Sequence, residues 1–210
     1  MKLKKNNTVL TTLLLILFLT VNKSHTVYAQ EEIIIDSEMT FEEAIFGSEA
    51  PVNIIAELVL LDVEYYSFEG KLHRGQVVVH RAVAADIVEI FEIIKETKFP
   101  IAKAIPIVKY NWSDSASMAD NNTSAFNYRV VAGTENLSRH SFGKAIDFNP
   151  MQNPYISKAG VFSPEDSKYD PTVAGTFTQD NIIVKKFIEK GWVWGGNFKS
   201  IKDYHHFDKR

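Results

Sequence analysis

The sequence predicts a domain in which β-strands are interleaved with two helices. Apolar residues recur at spacings of three and four over 82–97 and again over 180–190, which is the period of a helix that faces a core. Short runs rich in Val, Ile and Tyr, separated by Gly, Pro or Asn, predict strands around these helices. The chain has 210 residues and no cysteine, so a hydrophobic core without disulfide bonds must stabilise the fold.

Residues 1–29 have the pattern of a signal peptide. Three lysines precede an apolar run over 9–21, and the tripeptide Val27-Tyr28-Ala29 places small residues where signal peptidase reads the chain. The alternative is a membrane anchor, but the uncharged stretch is about 14 residues long and a bilayer needs roughly 20. We therefore expect cleavage after residue 29 and export to the periplasm or beyond the cell envelope. The mature chain is not expected to insert stably into a membrane.

The charge of the mature chain argues against nucleic acid as a partner. Removing residues 1–29 takes away four of the 23 basic residues and none of the 26 acidic ones, which leaves a net charge of −7 with neutral histidines. Binding to nucleic acid is typical of basic domains with clustered Lys and Arg, and no such cluster stands in the sequence. The charge also gives no reason to expect an anionic membrane surface as a target, and we expect a monomer.

The first half of the chain predicts a short helix, a hairpin and a core helix. The N-terminal segment, residues 30–54, is acidic and mixed, with one short helix expected around 40–46. Strands are predicted within 56–68 and over 76–80, with a turn at Glu69-Gly70 between them. The core helix spans 82–97, ends before Pro100, and buries a stripe of five residues: Val83, Ile87, Ile90, Phe91 and Ile94. Residues 105–110 predict a further strand.

The second half predicts long loops, short strands and the second helix. Residues 111–127 have few apolar positions and indicate a long loop, and a second loop over 149–177 can form one wall of a cleft. Strand character returns at 128–132 and at 145–148, where alternation directs Asp147 away from the core. Thr178 or Asp180 can cap a helix that runs through residue 190, buries Ile183, Phe187 and Ile188, and ends at Gly191.

Two short motifs, far apart in the chain, supply the ligand types of a catalytic zinc site. The first, over 138–147, contains His140 and Asp147, and the second, over 203–207, contains Asp203 and two adjacent histidines. Zinc bound by two His and one Asp keeps a fourth position for water and lowers the pKa of that water to about 7, and a further carboxylate can take its proton. A loop and a following strand can bring His140 and Asp147 together, since Gly143 permits a tight turn between them.

The residues alone leave the C-terminal ligand open. Asp203 and His206 are three residues apart, so a single turn places both on one side, where one can bind a metal while the other accepts a proton. His205 is an equally available imidazole. The alternative interpretation of both motifs is a set of solvated surface pairs. His73 and His80 have no acidic partner at metal-ligand spacing, and we interpret them as structural.

In combination and in this order, the motifs resemble those of the bacterial cell-wall zinc peptidases, which include VanY-type D-alanyl-D-alanine carboxypeptidases and L-alanyl-D-glutamate endopeptidases. The matching patterns are Ser-x-His-x-x-Gly-x-Ala-x-Asp over 138–147 and Trp-Gly-Gly followed by Asp-x-x-His-Phe over 194–207. The resemblance extends to 121–129 and 149–155 and covers roughly residues 55–208. It implies a small α+β domain over 55–210 with the Hedgehog/DD-peptidase-like fold, in which helices pack behind an antiparallel sheet that carries the metal site.

The resemblance also implies roles for individual residues. His140, Asp147 and His206 would bind Zn²⁺, and Asp203 would be the general base. Arg129 matches an arginine that contacts the substrate and stabilises charge at the scissile carbonyl. Ser124 and Tyr128 stand in the same matched stretch and are predicted to bind substrate. The alternative for Arg129 is a surface ion pair with Asp114 or Asp120.

The substrate that the resemblance implies is a peptidoglycan stem peptide. Carboxypeptidases of this type often carry Glu where this chain has Asp203, whereas phage and spore-associated endopeptidases commonly have Asp, so the likeness leans mildly toward endopeptidase chemistry. Two other functions stay open at this point. One is a zinc-containing protein that binds peptidoglycan without turnover, and the other is a different exported zinc amidase.

Overall fold

Short strands and helices alternate along residues 32–210, the part of the chain that this computed structural model describes. The predicted signal peptide, residues 1–29, lies outside these residues. The helices are α1 (Phe41–Ala44), α2 (Val52–Ile55), α3 (Ala84–Glu96), α4 (Asp114–Ala119) and α5 (Ile182–Glu189). The strands are β1 (Ile34–Ile35), β2 (Leu58–Tyr66), β3 (Leu72–His80), β4 (Lys103–Ala104), β5 (Asn122–Thr123), β6 (Ala145–Asp147), β7 (Tyr155–Ile156), β8 (Phe162–Ser163), β9 (Trp192–Trp194), β10 (Lys202–Asp203) and β11 (His206–Lys209).

The predicted hairpin and core helix are confirmed. Strands β2 and β3 pair antiparallel along their whole length, and β1 adds to β3 in parallel. Every residue of the predicted apolar stripe is buried: Ile87, Ile90, Phe91 and Ile94 belong to α3, and Val83 lies directly before it. Helix α3 packs against β2 and α5. The helix predicted around 40–46 is α1, which begins after Thr40 because that side chain accepts a hydrogen bond from the Glu43 N–H in a capping box.

The C-terminal strands form two small antiparallel sheets that meet at the candidate site. In the first, β11 lies between β6 and β9, which places His206 opposite Asp147 and Phe207 opposite Ile146. Because side chains alternate across a strand, Phe207 points into the core while its neighbour His206 points away from it. In the second sheet β7 lies between β10 and β8. The result is a mixed α/β domain of small sheets and few helices, as the sequence predicted.

The strand predicted over 105–110 is wrong. Residues Ile107–Tyr110 form a 3-10 helix that begins directly after Pro106. Proline has no N–H to give to a sheet and its fixed φ suits the start of a helical turn, which explains the difference. The strand predicted over 128–132 is also absent from residues 32–210, where this stretch contributes one isolated bridge between Val130 and Leu137.

The polar stretch over 111–127 is not a continuous loop. It contains α4, whose first turn is capped by the Ser113 hydroxyl, which accepts a hydrogen bond from the Ala116 N–H. Strand β5 follows and pairs with β4 in parallel. A helix with few apolar residues leaves no periodic pattern in the sequence, and its only local signal is the serine cap.

The second core helix is confirmed with corrected details. Asn181 caps α5 through its side-chain oxygen, rather than Thr178 or Asp180. Ile188 was predicted to be buried but is 40% exposed, and Val184 is buried in its place. Gly191 ends the helix in a left-handed conformation. Among the described residues, none of the helices combines the length and apolar character needed to cross a bilayer.

Candidate metal centre

His140 lies in a short 3-10 helix, Arg139–Phe142, that begins where Ser138 caps it. The Ser138 hydroxyl accepts a hydrogen bond from the His140 N–H at 3.3 Å. The His140 ring is buried, and its Nδ1 lies 2.6 Å from the Ala125 carbonyl oxygen. Because a carbonyl oxygen only accepts, Nδ1 donates to it, and Nε2 is the ring nitrogen that remains to bind a metal ion.

Gly143 fixes how this helix sits on the central hairpin. Its φ is +62°, and its carbonyl accepts a hydrogen bond from the His80 N–H at 2.9 Å. A Cβ at this position would lie 2.6 Å from the His80 nitrogen and 2.9 Å from the Val79 carbonyl carbon. Only glycine combines the left-handed backbone with so close an approach to another strand. The helix that carries His140 is therefore docked directly on β3.

Asp147 and His206 form a cross-strand pair that faces His140. His206 Nδ1 is 2.9 Å from Asp147 Oδ1, and His140 Nε2 is 3.2 Å from Asp147 Oδ2. The two ring nitrogens, His140 Nε2 and His206 Nδ1, are 3.2 Å apart. One ligand atom from each of the three residues lies within 4.8 Å of the others. Two imidazoles and one carboxylate that converge in this way form a donor set for a divalent metal ion.

The charges of the cluster are set by its burial and by its neighbours. Burial raises the pKa of Asp147, but the charges of His140 and His205 outweigh this and hold the pKa well below its usual value. Burial lowers the pKa of His206, but the hydrogen bonds to Asp147 and Asp208 outweigh this and raise it well above its usual value. Asp147 is therefore ionised, as a ligand must be, and a metal ion bound here would take the place of the proton on His206 Nδ1.

Asp208 contacts the outer nitrogen of the His206 ring. Asp208 Oδ2 lies 3.4 Å from His206 Nε2, and the Asp208 side chain is buried beside it. A carboxylate at the far nitrogen of a metal-binding histidine fixes its tautomer and orientation. Sequence reasoning missed this residue, although its position two residues after His206 on one strand places both side chains on the same face.

Asp203 lies beside the cluster and belongs to β10. Its Oδ1 is buried without an aligned hydrogen bond, although the Nε2 of His205 lies 2.8 Å away as an ion-pair partner. Burial raises the pKa of Asp203, but the charge of His205 outweighs this and lowers it. Asp203 is therefore ionised at neutral pH and can accept a proton. Gly195 allows its close packing, since a Cβ there would lie 2.4 Å from the Asp203 carbonyl oxygen.

Of the two adjacent histidines, His206 joins the cluster and His205 does not. His205 Nε2 is 3.9 Å from the nearer Asp147 oxygen, and its Nδ1 is 2.8 Å from the Asn153 carbonyl oxygen. Burial lowers the pKa of His205, but the charges of Asp203 and Asp147 outweigh this and raise it to about 9. His205 is thus a cation beside the cluster, a contact that sequence reasoning did not predict.

The cluster opens into a cavity of about 500 Å³. The three candidate ligands and Asp203 line it, together with Arg129 and Arg139. A cavity of this size suits a short peptide segment. Tyr155 also lines the cavity, whereas Trp192 and Trp194 are buried in the core.

Arg129 projects into the cavity while paired with Asp114, which also lines it. Arg129 Nη2 is 2.9 Å from Asp114 Oδ2, so the ion pair considered from the sequence does form, but inside the cavity. Arg129 Nε is buried, and no group within residues 32–210 forms a hydrogen bond with it. The Ser141 hydroxyl accepts from the Arg129 N–H at 2.9 Å and donates to its carbonyl at 2.6 Å. Ser141 therefore fixes the Arg129 backbone to the helix that carries His140.

The two remaining predicted substrate residues lie outside the lining of this cavity. Ser124 is buried, and its backbone pairs with that of Asp147 through hydrogen bonds of 3.1 and 2.8 Å. Tyr128 packs on the second apolar cluster, which includes Phe126. Ser124 thus holds the Asp147 backbone in place through this pairing. A substrate role for Ser124 or Tyr128 stays a prediction.

A comparison with known protein families matches part of the chain. Residues 132–209 match a family model described as D-alanyl-D-alanine carboxypeptidase. This is a peptidase family. The match confirms the resemblance that the motifs predicted, and the matched range contains His140, Asp147, Asp203 and His206. It spans less than half of the chain, and Arg129 lies just before it. No curated protein and no solved structure matches the chain significantly.

Proposed function

We propose that the protein is an exported zinc metallopeptidase that hydrolyses peptide bonds in peptidoglycan stem peptides. The observation that carries this proposal is the convergence of His140, Asp147 and His206 beside the ionised Asp203, all facing one cavity. The peptidase family match over the same residues supports it. We also infer the Hedgehog/DD-peptidase-like fold for the domain, since a small antiparallel sheet carries two of the three candidate ligands, Asp147 and His206.

The donor set fits zinc. Three protein ligands of His and Asp type are typical of catalytic zinc sites, which keep a further position for water or substrate. Zinc bound here supplies Lewis-acid chemistry, because it polarises a carbonyl group and makes a coordinated water more acidic. His140 Nε2, Asp147 and His206 Nδ1 would hold it. The contacts of Ala125 with His140 and of Asp208 with His206 orient the two rings.

The remaining residues supply proton transfer and charge stabilisation. Asp203 takes a proton from the attacking water at Oδ2, because Oδ1 is buried against His205. It then returns the proton to the leaving amine. The Arg129 side chain lines the cavity, and its guanidinium group donates to the carbonyl oxygen of the substrate as negative charge develops there. The position of an aspartate at 203 favours endopeptidase cleavage over removal of a terminal residue.

Digestion of purified peptidoglycan tests the proposal. The protein, loaded with zinc, is incubated with peptidoglycan with and without a chelator, and the released muropeptides are identified by mass. Cleavage after L-Ala or loss of terminal D-Ala, each abolished by the chelator, is the expected result. Release of whole stem peptides from the sugar would instead indicate an amidase. Unchanged muropeptides would indicate a binding protein without turnover.

Variants of two aspartates sharpen the test. Asp203→Ala is expected to lower the rate by at least about 100-fold, because it removes the general base, while zinc content stays near one per chain. Asp180→Ala is the matched control, since that carboxylate is exposed and forms a surface ion pair with Lys185. Loss of zinc in the Asp203 variant would contradict the assigned role and make Asp203 a ligand. Fractionation of the producing cells tests export independently.

A further inference from the structure

We propose that His205 is a positioning residue that holds the carboxylate of Asp203 in the orientation needed to accept a proton. This inference rests on the proposed function, because it assigns a role to His205 through the general base. It was not suggested by the motifs, in which His205 was only a rival candidate for the metal. It follows from what the two ring nitrogens contact.

One nitrogen of His205 is anchored to a rigid part of the chain. Nδ1 lies 2.8 Å from the Asn153 carbonyl oxygen and must donate to it. The Asn153 side chain is itself fully buried, donating to the Gly175 carbonyl at 2.8 Å and accepting from the Phe177 N–H at 2.7 Å. Since Phe177 belongs to the main core, the ring of His205 is tied to the core through Asn153.

The other nitrogen faces Asp203. Nε2 lies 2.8 Å from Asp203 Oδ1, and within residues 32–210 no other side chain lies within hydrogen-bond or ion-pair distance of this carboxylate. The Asp203 side chain is partly exposed to the cavity, so without this contact it is free to change rotamer. His205 therefore fixes Oδ1 and leaves Oδ2 for the water. An error of 1 Å in such a group can lower a rate by about 100-fold.

His205 contacts Asp203, and not a metal ligand, at hydrogen-bonding distance. Its Nε2 is 3.9 Å from Asp147 Oδ2, beyond hydrogen-bonding distance, whereas the three candidate ligand atoms converge without it. A change at His205 should therefore alter turnover while leaving metal binding intact. This separates a positioning role from that of a ligand.

Two amide variants separate the two contacts of the ring. His205→Asn retains a donor where Nδ1 contacts Asn153 but cannot reach Asp203. His205→Gln places its amide where Nε2 lies and keeps a donor toward Asp203. We expect the Asn variant to lower kcat by about 10- to 100-fold on a stem-peptide substrate. Its KM should change less than about twofold and zinc content should stay near one per chain. The Gln variant should recover most of the lost kcat.

Several outcomes overturn the inference. An Asn variant with the kcat of the unmodified protein, or equal loss in both variants, removes the positioning role. If the Asn variant does not fold, as judged by its thermal transition, His205→Phe is used instead. It places an aromatic ring without nitrogen atoms at this position and should show the same loss of kcat. Failure of the proposed function is distinguishable, because the unmodified protein is then inactive. In that case crystal structures of the Asn and Gln variants show whether His205 holds the Asp203 side chain. An Asp203 rotamer in the Asn variant that is the same as in the unmodified protein refutes the inference.

Discussion

Replacement of Gly143 by alanine tests whether the docking of one short helix on β3 controls metal binding. Gly143 has a φ of +62°, and a Cβ there would lie 2.6 Å from the His80 nitrogen and 2.9 Å from the Val79 carbonyl carbon. Both atoms belong to the backbone of the central hairpin and cannot move aside independently. The helix that carries His140 must therefore shift away from the hairpin.

The expected cost has two parts. The left-handed backbone costs a residue with a Cβ about 1–2 kcal/mol, and overpacking against a fixed neighbour costs about 1–3 kcal/mol. Together they predict a loss of about 2–5 kcal/mol in the free energy of unfolding. Displacement of His140 should also weaken metal binding, by about the 10- to 100-fold seen when the groups that orient a ligand are removed.

Gly70→Ala is the matched control. Gly70 lies in the turn between β2 and β3 with a φ of +73°, and a Cβ there would have no heavy atom within 4 Å. This variant bears the backbone cost of about 1–2 kcal/mol alone. Unfolding in urea with a chelator present gives the stability of each variant without a contribution from bound metal. Competition with a chromophoric chelator then gives zinc affinity. Equal stability losses in the two variants, or unchanged zinc affinity in Gly143→Ala, would refute the reasoning.

Two further predictions concern ion pairs. Asp114→Ala should lower kcat/KM with zinc content unchanged, because it removes the ion-pair partner of Arg129. In a double-mutant cycle with Arg129→Ala, the two losses should not be additive, and additive losses would show that the two residues act independently. Burial raises the pKa of Asp86, but hydrogen bonds from Lys209 and Trp192 outweigh it and lower the pKa. A group with a lowered pKa stabilises the fold at pH values above its unfolded pKa, which is near 4 for Asp. Asp86→Asn should therefore lower the free energy of unfolding by about 1.5–3 kcal/mol at pH 7, and the difference from the unmodified protein should vanish as the pH falls through the lowered pKa. A difference that is independent of pH would contradict this.

The elements that the sequence predicted well are those with a local signal. Helix α3 shows the full apolar period, and the β2–β3 hairpin has long apolar strands around a turn with glycine, so both were predictable. The strand predicted over 105–110 failed because Pro106 favours a helical turn over a ladder position. Helix α4 was missed because it has few apolar residues and depends on the cap from Ser113.

The candidate site divides in the same way. The spacing of His140 and Asp147 predicted that they share a site, but the sequence pattern alone did not distinguish His205 from His206 as the third ligand. That choice depends on the register of β11 against β6, a pairing between segments about 60 residues apart that no local pattern encodes. The contacts of Asp114 with Arg129 and of His205 with Asp203 are likewise tertiary. Only the resemblance to a family favoured His206 before the strands were placed.

The register of β11 also explains why the candidate metal centre is tied to the core. A shift of one residue would exchange the faces of the strand, exposing Phe207 and burying His206. Phe207 is fully buried, and its ring lies 4.2 Å from that of Phe187, centroid to centroid, in α5. Burial of an aromatic side chain of this size contributes about 1.5–3 kcal/mol, so the core strongly disfavours the shifted register. The apolar side of β11 thus sets the position of His206 opposite Asp147, and the ligand geometry follows from core packing rather than from the metal.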